Sequence, residues 1–347
     1  MKISRFIVLL AVLLSATGMA FAQAQLVGAG ATFPQPLYTK MFEVYGQDTG
    51  VKVNYQGVGS GAGQAQLKAK TVDFGASDVV MTAKDMADSP AEIVQIPIVA
   101  GAAVMAYNLP GDPKLRFTPD VIANIFLGNI KSWDDARIAA VNPSVKLPKL
   151  TITVVHRSDG SGTTGAFSDY LCKVSSEWKT KVGTGTSLNW PVGVGGKGTA
   201  GVAGLVKQLP GAIGYVELVY VLQNKMAYGD VQNSHGNWIT PSLASTSSAA
   251  QVTVPADITQ ISLTNTDAAD GYPISTFTWI LLFKDLKNQN NPGMDKASAT
   301  VKLVQWMIHD GQKLAEPLSY ATLPAAVAAK ADAILKSITY DGTPLLK

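Results

Sequence analysis

The amino-acid sequence predicts an α/β protein with two domains of ordinary size. The chain has 347 residues, of which 47% are hydrophobic, so it can build well-developed cores. Short apolar, β-branched runs are repeatedly followed by a glycine-bearing turn and then by a helix-like pattern. The 32 glycines fit a chain with many such tight turns from strand to helix.

The N-terminal segment predicts a cleaved export signal. Met1–Arg5 is a short basic region, Phe6–Leu14 is apolar, and Ala20–Ala22 has the small-x-small pattern that signal peptidase recognises. We therefore expect an exported mature chain that begins near Gln23. A lipid anchor would need a cysteine at the cleavage point, whereas the only cysteine, Cys172, lies far downstream.

The charge balance of the expected mature chain argues against nucleic-acid binding. Without Lys2 and Arg5, the 28 basic residues fall to 26 against 25 acidic ones, a formal charge of +1. The three histidines are scattered without metal-ligand spacing, and Asp267–Gly271 lacks the spacing of an EF-hand loop. We expect no metal site, no cofactor and no nucleic-acid partner.

Two glycine-rich turns near the expected mature N-terminus each follow a predicted strand and open a predicted helix. In Gly28–Pro34, the Thr32 hydroxyl and the Phe33 amide would point out of the helix N-terminus. In Gly57–Gly63, glycines let the backbone approach an anion closely, and Ser60 adds a hydroxyl. In the first turn, Thr32 could instead simply cap the helix. The second turn also loosely matches a dinucleotide-binding fingerprint, but the predicted export of the chain argues against such a cofactor.

Asp78 closes the short predicted strand Val72–Asp78. A carboxylate among anion-binding loops fits if the anion carries a proton that the carboxylate can accept. Alternatively, Asp78 caps the predicted helix Thr82–Ala87. The residues alone leave both interpretations open.

The strongest single anion signal is the turn between a predicted strand, Leu150–Val155, and a predicted helix, Gly165–Val174. The first helical turn would present the unpaired N–H groups of Ser161, Gly162 and Thr163, where the helix dipole also favours negative charge. Arg157 adds planar donors for a tetrahedral oxyanion, and Asp159 can orient them. The alternative is an ordinary capped helix start with a surface salt bridge.

The remaining segments complete the predicted alternation of strands and helices. Ile93–Ala106 is almost continuously apolar and predicts buried strands rather than one helix, and Pro273–Phe283 is a second β-rich run. Amphipathic patterns predict helices at Ala297–Gly311 and Pro324–Ile338. The Ala-Ser-Thr stretch Leu243–Ala250 predicts a flexible loop.

Taken together, these motifs resemble the phosphate-specific periplasmic binding proteins of the high-affinity phosphate ABC transporters. The resemblance spans the expected mature chain in the same order, and the ordered set is far more specific than any single motif. The matching motifs are Gly28–Pro34, Tyr55–Ser60, Val72–Asp78, Ile130–Asp135, Arg157–Thr163, Asn189–Pro191, Gly195–Gly198 and Pro210–Val216.

The resemblance implies the type II periplasmic-binding-protein fold, in which two domains, each a mixed sheet flanked by helices, are joined by a two-strand hinge. The ligand would lie in the cleft between them. The chain would cross between the domains near Met105–Leu109 and Tyr272–Phe277. The implied segments are residues 1–22 for the signal peptide, 23–107 and 272–347 for domain I, and 108–271 for domain II.

The resemblance also implies high-affinity binding of inorganic phosphate in the periplasm and delivery to the membrane permease subunits of an ABC importer, by a monomer without catalytic activity. Asp78 would accept a hydrogen bond from protonated phosphate, whereas sulfate has no proton to give; arsenate keeps its proton and would compete. Asp159 would hold Arg157. The implied phosphate-binding positions are Thr32, Phe33, Ser60, Asp78, Arg157, Ser161, Gly162 and Thr163.

Two other functions stay open from the residues alone. An exported phosphatase or esterase could use Ser161 with His156, although Gly160 and Gly162 flank the serine directly, unlike the pattern of a nucleophile elbow. A binding protein of the same class could instead carry sulfate, molybdate or another oxyanion. Asp78 argues against a fully ionised ligand.

Overall fold

The computed structural model describes residues 25–346, and its centre is a mixed sheet of nine strands. Across the sheet the order is β2 (Lys52–Gly57), β1 (Gln25–Gly30), β3 (Phe74–Ser77), β12 (Ser275–Phe283), β4 (Ile93–Tyr107), β8 (Ala212–Glu217), β6 (Thr153–Arg157) and β7 (Val194–Gly196). A short strand, β9 (Ala227–Tyr228), also pairs with β4. β1 is parallel to β2 and β3, and β6 is parallel to β7 and β8, whereas β12 and β4 run antiparallel to their neighbours.

The other strands form two small sheets. One contains β11 (Trp238–Ile239), β10 (Asp230–Gln232) and β5 (Arg116–Phe117), and the other is the hairpin of β13 (Thr339–Tyr340) and β14 (Thr343–Pro344).

Helices flank the sheets, and the longer ones bury an apolar face. They are α1 (Gln35–Thr49), α2 (Ser60–Lys68), α3 (Ala83–Ala87), α4 (Pro119–Phe126), α5 (Ala136–Val141), α6 (Gly162–Val174), α7 (Ser176–Lys181), α8 (Gly198–Gln208), α9 (Leu218–Gln223), α10 (Leu243–Ala250), α11 (Met294–Ile308) and α12 (Ala325–Lys336). Short 3₁₀ turns lie at Ile258–Gln260, Leu286–Asn288, Asp310–Leu314 and Glu316–Leu318.

The long apolar run that predicted buried strands is a single strand, β4. Pro97 lacks an N–H and lies where the pairing register with β12 shifts, so the strand continues through an irregularity rather than ending. Gly101 makes room for a neighbouring ring, because a Cβ there would lie 2.5 Å from Phe33 Cε1. β4 pairs with β12 up to Ala102 and with β8 from Ala103. It therefore joins two halves of the sheet, one with β2, β1, β3 and β12 and the other with β8, β6 and β7.

The stretch Leu243–Ala250 is helix α10, so the prediction of a flexible loop was wrong. Ser242 and Ser245 form a capping box, in which each side chain accepts a hydrogen bond from the other residue's backbone N–H. Ala249 and Ala250 are buried, and such small side chains let the helix approach β4 and β12 closely. Capping and tertiary burial stabilise a segment whose composition alone indicated a loop.

The predicted export signal, residues 1–22, lies outside the described residues. Across the part of the chain that is described, no helix combines the length and the apolarity that a membrane crossing requires. The division into residues 23–107 with 272–347 and residues 108–271 stays a prediction.

Candidate anion site

Four loops from the two halves of the sheet meet at one place. The loop after β1 carries Thr32 and Phe33, the turn after β2 carries Ser60, and Asp78 directly follows β3. From the other half, β6 ends at Arg157 and leads into the N-terminus of α6. The carboxyl ends of parallel strands lie at one sheet edge, so the helix N-termini that follow them collect there and favour an anion.

Asp78 lies in the middle of this site with only 1% of its surface exposed. Its backbone N–H donates to Ser60 Oγ at 3.3 Å, and its Oδ2 accepts the Thr163 hydroxyl at 3.2 Å. Its other carboxylate oxygen, Oδ1, is buried and has no hydrogen-bond partner among residues 25–346. A buried acceptor without a donor is costly, and the described residues supply no donor to this atom.

The environment of Asp78 makes its carboxyl a proton acceptor near neutral pH. Burial raises the pKa of Asp78 to about 7, against the opposing effects of the Arg157 charge and of the hydrogen bonds with Thr163. The alternative role as a helix cap is wrong, because Thr82 caps α3 and accepts the Asp85 N–H at 3.1 Å.

Arg157, which is buried, forms a forked ion pair with the partly buried Asp159. Arg157 Nε donates to Asp159 Oδ1 at 2.8 Å, a second bond joins Nη2 to Oδ2, and only 2% of the arginine side chain is exposed. The Gly198 N–H also donates to Asp159 Oδ1, at 2.9 Å. Burial raises the pKa of Asp159, but its hydrogen bonds and the Arg157 charge outweigh it, so the pKa lies below its ordinary value. The arginine is therefore fixed in one orientation.

The N-terminus of α6 packs directly against Asp78. Ser161 caps the helix, with its Oγ accepting the Thr164 N–H at 3.1 Å. Its own N–H donates to the Thr186 carbonyl at 2.8 Å, so the prediction of an unpaired N–H is wrong for Ser161. At Gly162 a Cβ would lie 2.6 Å from both Asp78 N and Ser60 Oγ, so only glycine allows this approach. The alternative of an ordinary helix start is right about the cap, but the salt bridge is not a surface pair, because its arginine is buried.

The loop after β1 is bonded to the other half of the sheet through Thr32. Its Oγ1 accepts the Thr199 N–H at 3.0 Å and lies 3.1 Å from Thr199 Oγ1. A second cross-connection joins the Gly61 N–H to the Gly160 carbonyl at 2.9 Å. The structure thus gathers Ser60, Asp78, Gly162 and Thr163 in direct contact, with Thr32 held close to α8.

The comparisons with known proteins agree on one family. Residues 15–310 match the sequence model of a family described as a PBP superfamily domain. The phosphate-binding protein PstS of Xylella fastidiosa strain Temecula1 is 46% identical over 303 residues, which cover 86% of this chain and 81% of that protein. The PstS of Pasteurella multocida strain Pm70 is 41% identical over 333 residues, 95% of each chain.

The chain belongs to the PstS family of the PBP superfamily. The solved structure of a high-affinity periplasmic phosphate-binding protein, PfluDING, bound with phosphate, matches with a TM-score of 0.73 at 22% identity and covers 89% of this chain and 93% of that one. At that identity the likeness shows the fold alone. The predicted α/β fold of the periplasmic binding proteins is confirmed.

The geometry of this PstS-family chain gives no support to a serine–histidine pair. The His156 ring stacks on Trp190 at 4.8 Å, and its Nδ1 lies 3.1 Å from the Arg157 carbonyl oxygen. Ser161 Oγ is occupied in capping α6. Each side chain therefore already has a structural role.

Two contributors to the site were not singled out from the sequence. Thr199 was not among the predicted positions, although Gly195–Gly198 before α8 is the same kind of glycine turn that indicated the other loops. Tyr220 lies on α9, and its hydroxyl donates to the Thr32 carbonyl at 3.0 Å. No local pattern in that short helix marks the tyrosine, since its contact is made by the fold.

Proposed function

We propose that this chain binds inorganic phosphate in the periplasm and delivers it to the membrane permease of an ABC importer. The names of its PstS relatives support phosphate as the ligand. The observation that carries the proposal is the buried Asp78 carboxyl, whose Oδ1 has no partner among residues 25–346, although it lies beside a helix N-terminus and near Arg157. A protonated oxyanion can accept hydrogen bonds from the helix N–H groups and from Arg157, and it can donate its own proton to Asp78 Oδ1.

The proposed ligand contacts come from both halves of the sheet. Backbone N–H groups, hydroxyls and the guanidinium donate to the phosphate oxygens, and each charge-assisted bond in a dry site contributes roughly 1.5–3 kcal/mol. Asp159 is proposed to orient Arg157 without touching the ligand. The proposed binding residues are Thr32, Phe33, Ser60, Asp78, Arg157, Ser161, Gly162 and Thr163.

Asp78 is proposed to set the selectivity. Phosphate retains a proton near neutral pH and can donate it to Asp78 Oδ1, whereas sulfate would place one buried acceptor against another. A site built around a required buried hydrogen bond rejects a ligand that lacks it by about 10⁴ to 10⁵-fold. Arsenate keeps the proton, so we expect it to compete with phosphate.

Ligand binding is proposed to hold the two halves together. The Thr32–Thr199 and Gly61–Gly160 bonds already join them, and a phosphate contacting both sides adds further links. Binding then favours the closed arrangement, which a permease can recognise by its shape. We propose that the protein does this as a monomer.

Titration calorimetry tests the proposal on the exported chain after phosphate has been removed. One-to-one binding of phosphate without detectable sulfate binding near pH 8, where Asp78 is largely ionised, is the expected result. Sulfate binding of similar strength would contradict the proposed role of Asp78 and move the function to another oxyanion. Binding of neither anion would refute the proposed function.

A further inference from the structure

Tyrosine hydroxyls hold the backbone of the loop after β1. Three consecutive carbonyls of this loop each accept a hydrogen bond from a different tyrosine. The donor and acceptor pairs are Tyr55 with Ala31 at 2.7 Å, Tyr220 with Thr32 at 3.0 Å, and Tyr320 with Phe33 at 2.7 Å. Three tyrosines from outside the loop therefore help to orient its peptide planes, while the Thr32 carbonyl also accepts a longer bond from the nearby Gln35 N–H at 3.4 Å.

The Tyr220 bond, the shorter of the two on the Thr32 carbonyl, helps to determine where the Phe33 N–H points. The Thr32 carbonyl and the Phe33 N–H belong to one trans peptide, so they point in opposite directions. A hydroxyl that holds the carbonyl on one side turns the N–H to the other side. Phe33 is fully buried, and its N–H has no protein acceptor within residues 25–346. Such a donor needs a partner, which points to an oxygen of a ligand.

Tyr220 reaches this peptide from the opposite half of the sheet. It lies on α9 after β8, whereas Thr32 follows β1, and β8 and β1 are separated in the sheet by β4, β12 and β3. Burial raises the pKa of Tyr220, and the nearby Glu217 raises it further, so its hydroxyl keeps the proton that it donates. The bond exists only while the two halves are close together. By contrast, Tyr55 lies on β2, in the same half of the sheet as Thr32.

We propose that Tyr220 is a positioning residue, which aligns the Phe33 N–H on bound phosphate only when the two halves of the sheet are together. This inference rests on the proposed phosphate-binding function. Because the alignment follows closure, it slows release of the anion and leaves its capture unchanged. Removing the hydroxyl leaves the Thr32 carbonyl with only the longer bond from the Gln35 N–H, at 3.4 Å, so the closed complex is the state that is weakened.

Stopped-flow kinetics of phosphate binding to the exported chain tests this assignment. For Tyr220→Phe we expect the dissociation rate to rise about fivefold to tenfold, the effect of one lost buried hydrogen bond. The association rate should stay within about twofold of wild type. Tyr340→Phe is the matched control, since the Tyr340 hydroxyl donates to Asn291 Oδ1 at 2.7 Å on the surface. Both of its rates should equal those of wild type.

Unchanged dissociation in Tyr220→Phe, or a change confined to association, would overturn the assignment. A second measurement needs no variant: in wild-type protein labelled with ¹⁵N, the Phe33 amide proton should move downfield when phosphate is added. If that resonance does not move, the assignment fails even where Tyr220→Phe folds poorly. Failure of wild type to bind phosphate would instead refute the proposed function, so the two failures are distinguishable.

Discussion

Replacing Asp78 by asparagine should change the choice of anion more than the strength of phosphate binding. The asparagine amide has the same shape, and its oxygen can still accept the phosphate proton, but as a neutral rather than an ionised group. The difference between a charged and a neutral buried hydrogen bond is about 1–1.5 kcal/mol, so phosphate should bind roughly tenfold more weakly. In this variant sulfate no longer faces a buried carboxylate, and the asparagine NH₂ group can donate a hydrogen bond to it. The ratio of phosphate affinity to sulfate affinity should therefore fall from about 10⁴–10⁵ to below about 10².

Calorimetric titration of Asp78→Asn with phosphate, sulfate and arsenate at pH near 8 measures this change, because wild-type Asp78 is then largely ionised. Asp88→Asn is the matched control, since Asp88 is an exposed carboxylate paired with Lys84. The control should keep the wild-type preference for phosphate. If Asp78→Asn also kept that preference, the argument from a required proton would be refuted.

The same substitution should alter the pH dependence of stability. Burial raises the pKa of Asp78 from 3.8 to about 7, so folding favours the protonated carboxyl. The stabilising contribution is complete below pH 3.8 and is lost as the pH rises to about 7, a change of up to about 4 kcal/mol. When urea unfolding is measured without phosphate, the free energy of unfolding of Asp78→Asn should not fall in this way as the pH rises. Parallel pH profiles for variant and wild type would show that the carboxyl titrates normally in the folded protein.

Other substitutions test the surroundings of Asp78. Arg157→Lys replaces the fork that Asp159 holds by a single ammonium group, and calorimetry should show phosphate binding about 100-fold weaker; a loss below threefold would contradict the proposed contact of the guanidinium with phosphate. Gly59 has φ +96°, and a Cβ there would lie 2.3 Å from Asp159 Oδ2. Gly59→Ala should therefore lower the free energy of unfolding by about 1–3 kcal/mol, whereas Gly204→Ala, which has open space, should not lower it. Burial raises the pKa of Glu217 well above its ordinary value, so folding favours its protonated form. Glu217→Gln should stay within about 1 kcal/mol of wild type in urea unfolding, and a larger loss would indicate an ionised carboxylate.

Local sequence patterns predicted the elements that carry the site. The apolar run predicted at Leu150–Val155 becomes β6, which runs from Thr153 to Arg157, and the turn after it leads into α6. Capping failed as a guide at Asp78, because the true cap of α3 is Thr82 four residues later. A cap is decided by one backbone hydrogen bond, and several polar residues near a helix start can compete for it.

Composition misjudged α10 because the helix depends on what it packs against. Its serines and alanines have no strong apolar stripe, yet the buried Ala249 and Ala250 lie close to the sheet. Likewise, the apolar run from Ile93 to Ala106 did not reveal that one strand serves both halves of the sheet. Which strands pair with β4 is set by contacts between distant segments.

The order of residues along the chain was enough to predict the α/β class, the glycine turns before helices and, through the ordered motifs, the family. These features depend on local propensity and on residues close together in the chain. It took the folded arrangement to establish that Asp78 is buried against Gly162 and Thr163, that the Arg157 ion pair is withdrawn from water, and that Tyr220 reaches the Thr32 carbonyl. Those facts join residues that lie far apart in the chain, and burial and hydrogen-bond partners at such separations follow from how the halves pack.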